Sequence, residues 1–241
     1  MRFLPTLVAA GSLMGALPAA AATLTVATDN SGGFVSQDGI AAYNSSGATL
    51  AGATVTATFA DGTSESGTIA AFGRNTGALY GSGFELVQTG TTYSNAFALF
   101  NDYTSALVTL SIDLVPASAV FDLDFGGATG TDGSNLGRTL IQSDSSGSED
   151  GSGLTGDVVA TYAGRVSVGS AAAVGDLYTS LVLDLSGTLD GGLASGGEWY
   201  FIADTDTLKT AGDLAPVPLP AGVLTLGAAL AGLGLLRRRK G

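Results

Sequence analysis

Oxygen is the only ligand and catalytic chemistry this sequence offers in quantity. Its 241 residues include 21 Asp and Glu but no histidine and no cysteine. That removes thiolate and imidazole metal sites, disulfides, Ser-His-Asp and Cys-His catalysis, and histidine pH switching. Carboxylates, hydroxyls and carbonyls remain, and they suit hard-cation binding or a carboxylate pair of the glycosidase kind.

The densest oxygen cluster is Asp144-Ser145-Ser146-Gly147-Ser148-Glu149-Asp150-Gly151. Asp144, Glu149 and Asp150 are its candidate calcium ligands. The cluster departs from an EF-hand loop, because Ser146 and Ser148 stand where acidic or amide ligands belong and Glu149 takes the place of the turn glycine. The stretch Gly126 to Asp132 is one residue out of step with a calcium-binding nonapeptide and does not recur. Calcium is the one cofactor suggested here; a solvated loop is the plainer reading.

Two further sets of residues could meet a substrate. Asp122 and Asp124, or Glu198 beside Trp199, could serve a hydrolase. Same-face neighbours on a strand lie about 6.6 Å apart, within the inverting-glycosidase range. Neither set has a third partner or a basic clamp, so a non-catalytic protein is expected. The second set is Tyr93, Asn95, Asn101, Asp102 and Tyr103, interleaved with Phe97 and Phe100. Aromatic faces beside amide and acidic oxygens suit a glycan. The competing reading makes Phe97 and Phe100 core and the tyrosines edge residues.

Strands must position these groups, because period-two alternation dominates the middle of the chain. In 54–59, threonines alternate with Val55, Ala57 and Phe59. Val108, Leu110, Ile112 and Leu114 form one face of the next segment; then Ala119, Phe121, Leu123 and Phe125 point inward and leave Asp122 and Asp124 outward. Later segments, 157–168, 177–186 and 198–203, repeat the theme with Tyr162 and Val166, Leu181 and Leu183, and Trp199 and Phe201. Asp-Gly pairs at 38, 61, 132, 150 and 190 mark turns, and 37 glycines supply the positive φ that turns need. The fold class read from this pattern is all-β, an antiparallel β-sandwich or jelly roll. A parallel solenoid would need a fixed repeat, and none is found. Residues 126–156 read as long loops around a short strand, or as a boundary between two small β-domains.

The two ends are apolar and belong to targeting rather than to the fold. Met1 and Arg2, the apolar run Phe3 to Leu17 and the alanines ending at Ala22 form a signal-peptide pattern, with cleavage expected between Ala22 and Thr23. At the other end, Ala215-Pro216-Val217-Pro218-Leu219-Pro220 precedes the uncharged stretch Ala221 to Leu236 and then Arg237-Arg238-Arg239-Lys240. Alternate prolines favour an extended linker, so a helix can start only near Pro220. That helix would reach about 24 Å, a little less than the roughly 30 Å of hydrocarbon it would cross. The arginines and Lys240 form a basic stop that stays cytoplasmic.

Val217, Pro218, Leu219, Pro220, Ala221 and Gly222, followed by an apolar helix and a basic cluster, resemble the VPLPA-CTERM sorting signal, a relative of PEP-CTERM. The resemblance is confined to the residues after Ala215. It implies a Gram-negative bacterium in which an exosortase-type membrane enzyme recognises the signal, cleaves near the motif and passes the body to the cell surface or extracellular matrix. The chain would then be that enzyme's substrate, after signal peptidase has removed its leader. A plain membrane anchor behind a Pro-rich linker is the alternative.

The resulting organisation is a signal peptide, 1–22, an acidic β-body, 23–215, and a sorting segment, 216–241. All 21 acidic residues fall in the body, against Arg74, Arg138, Arg165 and Lys209. Nucleic acid is therefore excluded as a partner. Signal peptidase, the exosortase, the membrane through the C-terminal helix, and an envelope or matrix polysaccharide are the expected partners. The functional expectation is an exported, non-catalytic surface or matrix protein, with a calcium-assisted carbohydrate-binding module as the alternative and a glycoside-active enzyme third.

Overall fold

The computed structural model describes residues 23–43, 45–123, 137–147, 154–169 and 175–210. The signal-peptide segment, the sorting motif with its helix and basic tail, and Asp124, Glu149 and Asp150 lie outside them. Among the described residues the regular structure is all strand, apart from short 3-10 turns at Gly47–Leu50 and Val115–Ala117.

In chain order the strands are β1 (Thr23–Thr28), β2 (Val35–Gln37), β3 (Ile40–Ala42), β4 (Thr54–Phe59), β5 (Ser64–Thr68), β6 (Ala70–Phe72), β7 (Thr76–Tyr80) and β8 (Phe84–Thr89). They continue as β9 (Phe97–Asn101), β10 (Leu107–Asp113), β11 (Ala119–Asp122), β12 (Ile141–Ser143), β13 (Asp157–Val168), β14 (Leu177–Asp184), β15 (Glu198–Ile202) and β16 (Thr205–Leu208). One sheet has the order β3-β16-β11-β14-β10-β4-β5, with β13 also paired to β14 and carrying β1 and β2 on its far side. The other has the order β12-β15-β9-β8-β7-β6. Pairing is antiparallel except that β1 and β2 both run parallel to β13.

The two sheets close on one buried cluster, which makes the fold sandwich-like. Val55, Ala57, Leu110, Ile112, Leu181 and Leu183 come from the first sheet, and Leu86, Phe97, Leu99, Trp199 and Phe201 from the second. Phe97 and Phe201 face each other across β9 and β15 with parallel rings 5.1 Å apart, and Trp199 packs on Phe201 at 5.0 Å. Each large apolar side chain removed from water here contributes about 1.5–3 kcal/mol. Over β4, β5, β7 and β8 the opposite faces are wet and joined by hydroxyl pairs, Thr56 with Ser66 at 2.8 Å and Thr76 with Thr89 at 3.1 Å.

The alternation read in β4 is realised, with Val55, Ala57 and Phe59 buried. In β10 it slips by one at its start. The register against β4 shifts between Leu107 and Thr109, so Leu107 is buried and Val108 only half-buried. A second phase change falls at Gly164. Tyr162 lies in the main core, but Val166 and its partner Leu177 join a smaller cluster with Ile40, Val120, Val168 and Leu208. Gly164 makes the change possible with a φ of +73°, and a Cβ there would run into the Thr179 hydroxyl. Residues 141–143 supply the short strand expected within 126–156.

Candidate functional site

The most chemically loaded place in the fold is where β11 meets β16. Their antiparallel register sets Ala119 against Thr207, Val120 against Asp206 and Phe121 against Thr205. One step further, the Asp122 amide donates to the Asp204 carbonyl at 3.1 Å. Because side chains alternate across a strand, Asp204 and Asp206 share one face with Asp122 and Val120. All three aspartates are buried, and one carboxylate oxygen from each lies within 4.8 Å of the others. Asp122 was expected to face water; the covering of that face is what reverses the expectation.

Part of the covering is the segment before β12. The Arg138 amide donates to the Asp122 carbonyl at 3.0 Å, and the Asp204 amide donates to the Arg138 carbonyl at 3.4 Å. Gly137 passes so close that a Cβ would collide with Oδ1 of Asp122. On the β14 side Leu177 lies opposite Asp122, and the neighbouring Asp176 accepts the Leu123 amide on its carbonyl at 3.0 Å.

The three carboxylates differ in what holds them. Asp204 Oδ1 accepts the Thr205 amide at 2.9 Å and the Thr92 hydroxyl at 3.2 Å. Burial nevertheless pushes Asp204 up to about 7, against the pull of those two bonds and of the Arg138 charge. Asp206 has no exposed surface, and among the described residues its carboxylate oxygens meet no hydrogen-bond donor apart from a carboxyl-to-carboxyl contact with Asp122. Burial, then the charges of Asp122 and Asp204 and the carboxyl contact with Asp122, push it well above the usual carboxylate range. Oxygen ligands converging in a dry place are a donor set for a hard cation.

The other sites read from the sequence are arranged differently. Asp144 folds back on its own loop, its Oδ1 accepting the Ser146 amide at 2.8 Å and hydroxyl at 2.7 Å. The glycan set is split by the length of β9. At one end Tyr93 stacks under Arg138, with the guanidinium 5.6 Å from the ring centroid, and Asn95 Oδ1 accepts the Thr91 amide at 3.1 Å. At the other end Asn101 is buried and structural: its Nδ2 donates to the carbonyls of Leu193 at 2.7 Å and Ser105 at 2.9 Å, and its Oδ1 accepts the Tyr103 amide at 3.0 Å. Tyr103 packs on Phe59 at 4.4 Å, and the Asp102 amide donates to the Gly83 carbonyl. Phe97 is core; Phe100 lies on the other face of the sheet, half-buried, edge-on to Tyr200 at 6.4 Å. Trp199 is core, and beside it Glu198 accepts the Tyr200 hydroxyl at 3.1 Å.

Asn95 does meet the Asp144 loop. A groove of about 190 Å³ runs between Asn95, Tyr200 and Ser145 to Gly147. It is smaller than the roughly 300–1,000 Å³ usual for small-molecule sites.

Asp204 and Asp206 were missed in the sequence, although their signal is present. Asp204-Thr205-Asp206-Thr207 alternates acid with hydroxyl, as Asp122 and Asp124 alternate with Phe121 and Leu123. Such a pattern reads as a wet face until the pairing of β11 with β16 is known. No protein-family model matches the chain, and neither curated proteins nor solved structures give a significant match.

Proposed function

We propose that this chain is an exported component of the cell surface or extracellular matrix, non-catalytic, and a substrate of an exosortase-type sorting enzyme. The observation that carries the reading is the order of three features: the Val217 to Gly222 motif, the apolar stretch Ala221 to Leu236, and the basic run Arg237 to Lys240. An extended motif beside the membrane surface presents its backbone to an embedded protease, while a short helix and a basic stop hold it there. At the other end, the Thr23 amide donates to the Gly156 carbonyl at 2.7 Å, so the chain is tied into the fold from the residue that follows the expected signal cleavage. A body with its apolar side chains gathered inside, hydroxyl pairs on its outer faces and strong acidity suits a soluble module displayed outside the cell. The test is labelling of intact cells that possess an exosortase. Surface exposure of the body is expected; a body found only inside the cytoplasm overturns the proposal.

The alternative, a calcium-assisted carbohydrate-binding module, draws on the groove where Asn95 and Tyr200 meet the Ser145 to Gly147 turn. A glycan-array screen separates the two. A structural component binds no glycan selectively, and a saturable hit lost in N95A favours the module.

A further inference from the structure

We propose that Asp122, Asp204 and Asp206 form a buried site for one calcium ion, which ties β11 and β16 together beneath the Gly137 to Arg138 crossing. This site is distinct from the Asp144 to Asp150 cluster, and it rests on geometry rather than on the export reading.

Three observations converge. First, the oxygens are spaced for the ion: ligands at about 2.3–2.6 Å from one calcium lie at most about 5 Å apart, and one oxygen of each aspartate lies within 4.8 Å of the others. Magnesium holds its ligands at about 2.0–2.1 Å in a near-ideal octahedron and gives up water reluctantly, which suits a dry three-carboxylate site poorly. Second, Asp206 is completely buried within the group, and among the described residues its oxygens meet no hydrogen-bond donor outside the aspartates themselves. Buried carboxylates are paired, protonated or bound to metal. The nearby cation, Arg138, donates from Nη1 to the Tyr93 carbonyl at 2.8 Å and lies over the Tyr93 ring. Third, the described neighbours along the strands are apolar: Val120 stands opposite Asp206, and Leu177 opposite Asp122. Together with Ile40, Val166, Val168 and Leu208, these two form the smaller apolar cluster.

The competing account is a proton rather than an ion, with Asp206 held neutral beside Asp122. The two accounts differ in how the protein answers to calcium. The full chain in mild detergent is stripped with EDTA and titrated calorimetrically with CaCl2. Melting is followed in CaCl2, in MgCl2, and in NaCl at matched ionic strength. One saturable calcium per chain is expected. At about 100 times the dissociation constant, calcium should raise Tm by roughly 5–10 °C over matched NaCl, with a smaller rise in magnesium. D206N should remain folded in EDTA and lose the calcium-specific rise, whereas D144N should keep it. If D206N does not fold, D204N takes its place. No saturable binding to the parent chain, or equal responses to calcium and NaCl, overturns the proposal. So does a calcium rise that survives D206N and disappears in D144N, which moves the ion to the loop.

Discussion

Val120 and Asp206 face each other across the β11–β16 pair, so a fully buried carboxylate stands opposite an equally buried valine. A sheet face of that composition is stable only if the carboxylate is neutralised by a proton or a cation. The same pair places Asp122 beside Asp204 and gathers the three acids in one place.

Truncating the aromatic centre should be among the most damaging single changes. Trp199 is completely buried, packs on Phe201 and donates from Nε1 to Gln142 Oε1 at 3.2 Å. W199A should lower stability by about 3–5 kcal/mol, measured by urea unfolding of the full chain. A loss under 1 kcal/mol would mean that the sheets do not close on this ring.

Two glycines separate backbone strain from steric conflict. Gly62 and Gly164 both have positive φ, +84° and +73°, but a Cβ at Gly62 meets nothing within 4 Å, whereas at Gly164 it strikes Thr179. G62A should cost about 1–2 kcal/mol from the left-handed backbone alone. G164A should cost distinctly more, and pairing it with T179A should recover part of the difference. Equal penalties from thermal melts would contradict this.

Acid stability should depend on Glu65. Partial burial pushes its carboxyl up, but the amides of Ser82 and Gly83, each 2.7 Å away, and the Ser82 hydroxyl outweigh that and hold it below its usual 4.5. A depressed carboxylate stabilises the folded state above its unfolded pKa, and the contribution disappears as pH falls through the folded pKa. E65Q should therefore be less stable than the parent at pH 7, by a modest amount because solvent screens the carboxylate. The gap should close as pH falls below about 4.5. A gap that persists at pH 2 would assign the loss to packing instead.

Within the tail, the proline motif and the basic stop should separate by phenotype. P218A combined with P220A should insert in the membrane normally yet escape processing, because a helical motif no longer presents an extended backbone. Neutralising Arg237 to Arg239 should first disturb retention and orientation. Fractionation and immunoblotting read both, and normal processing of the proline variant would remove the motif from the mechanism.

Local alternation carried much of the fold. Val55, Ala57 and Phe59 were legible because each strand residue's face follows from its neighbours, and Trp199 and Phe201 for the same reason. The bulge at Leu107 and the phase change at Gly164 were not, since both depend on how the strand registers with its partner, β4 for Leu107 and β14 for Gly164. Alternation alone points Asp122 outward, and its burial depends on a tertiary neighbour, the covering segment at Gly137 and Arg138. The glycan set is compact in sequence only because β9 is short; a strand of five residues still sets the groups at its two ends about 15 Å apart.

The most direct test of the account is the intact mass of the mature protein recovered from the surface of a native host with an exosortase. The mature chain should begin at or near Thr23 and lack the segment beyond the Val217 to Gly222 motif. In a host without the enzyme, the same gene should yield a membrane-bound chain that keeps its tail. Bulk surface protein that still carries Arg237 to Gly241 would contradict the sorting reading and reduce the C-terminal segment to a simple anchor.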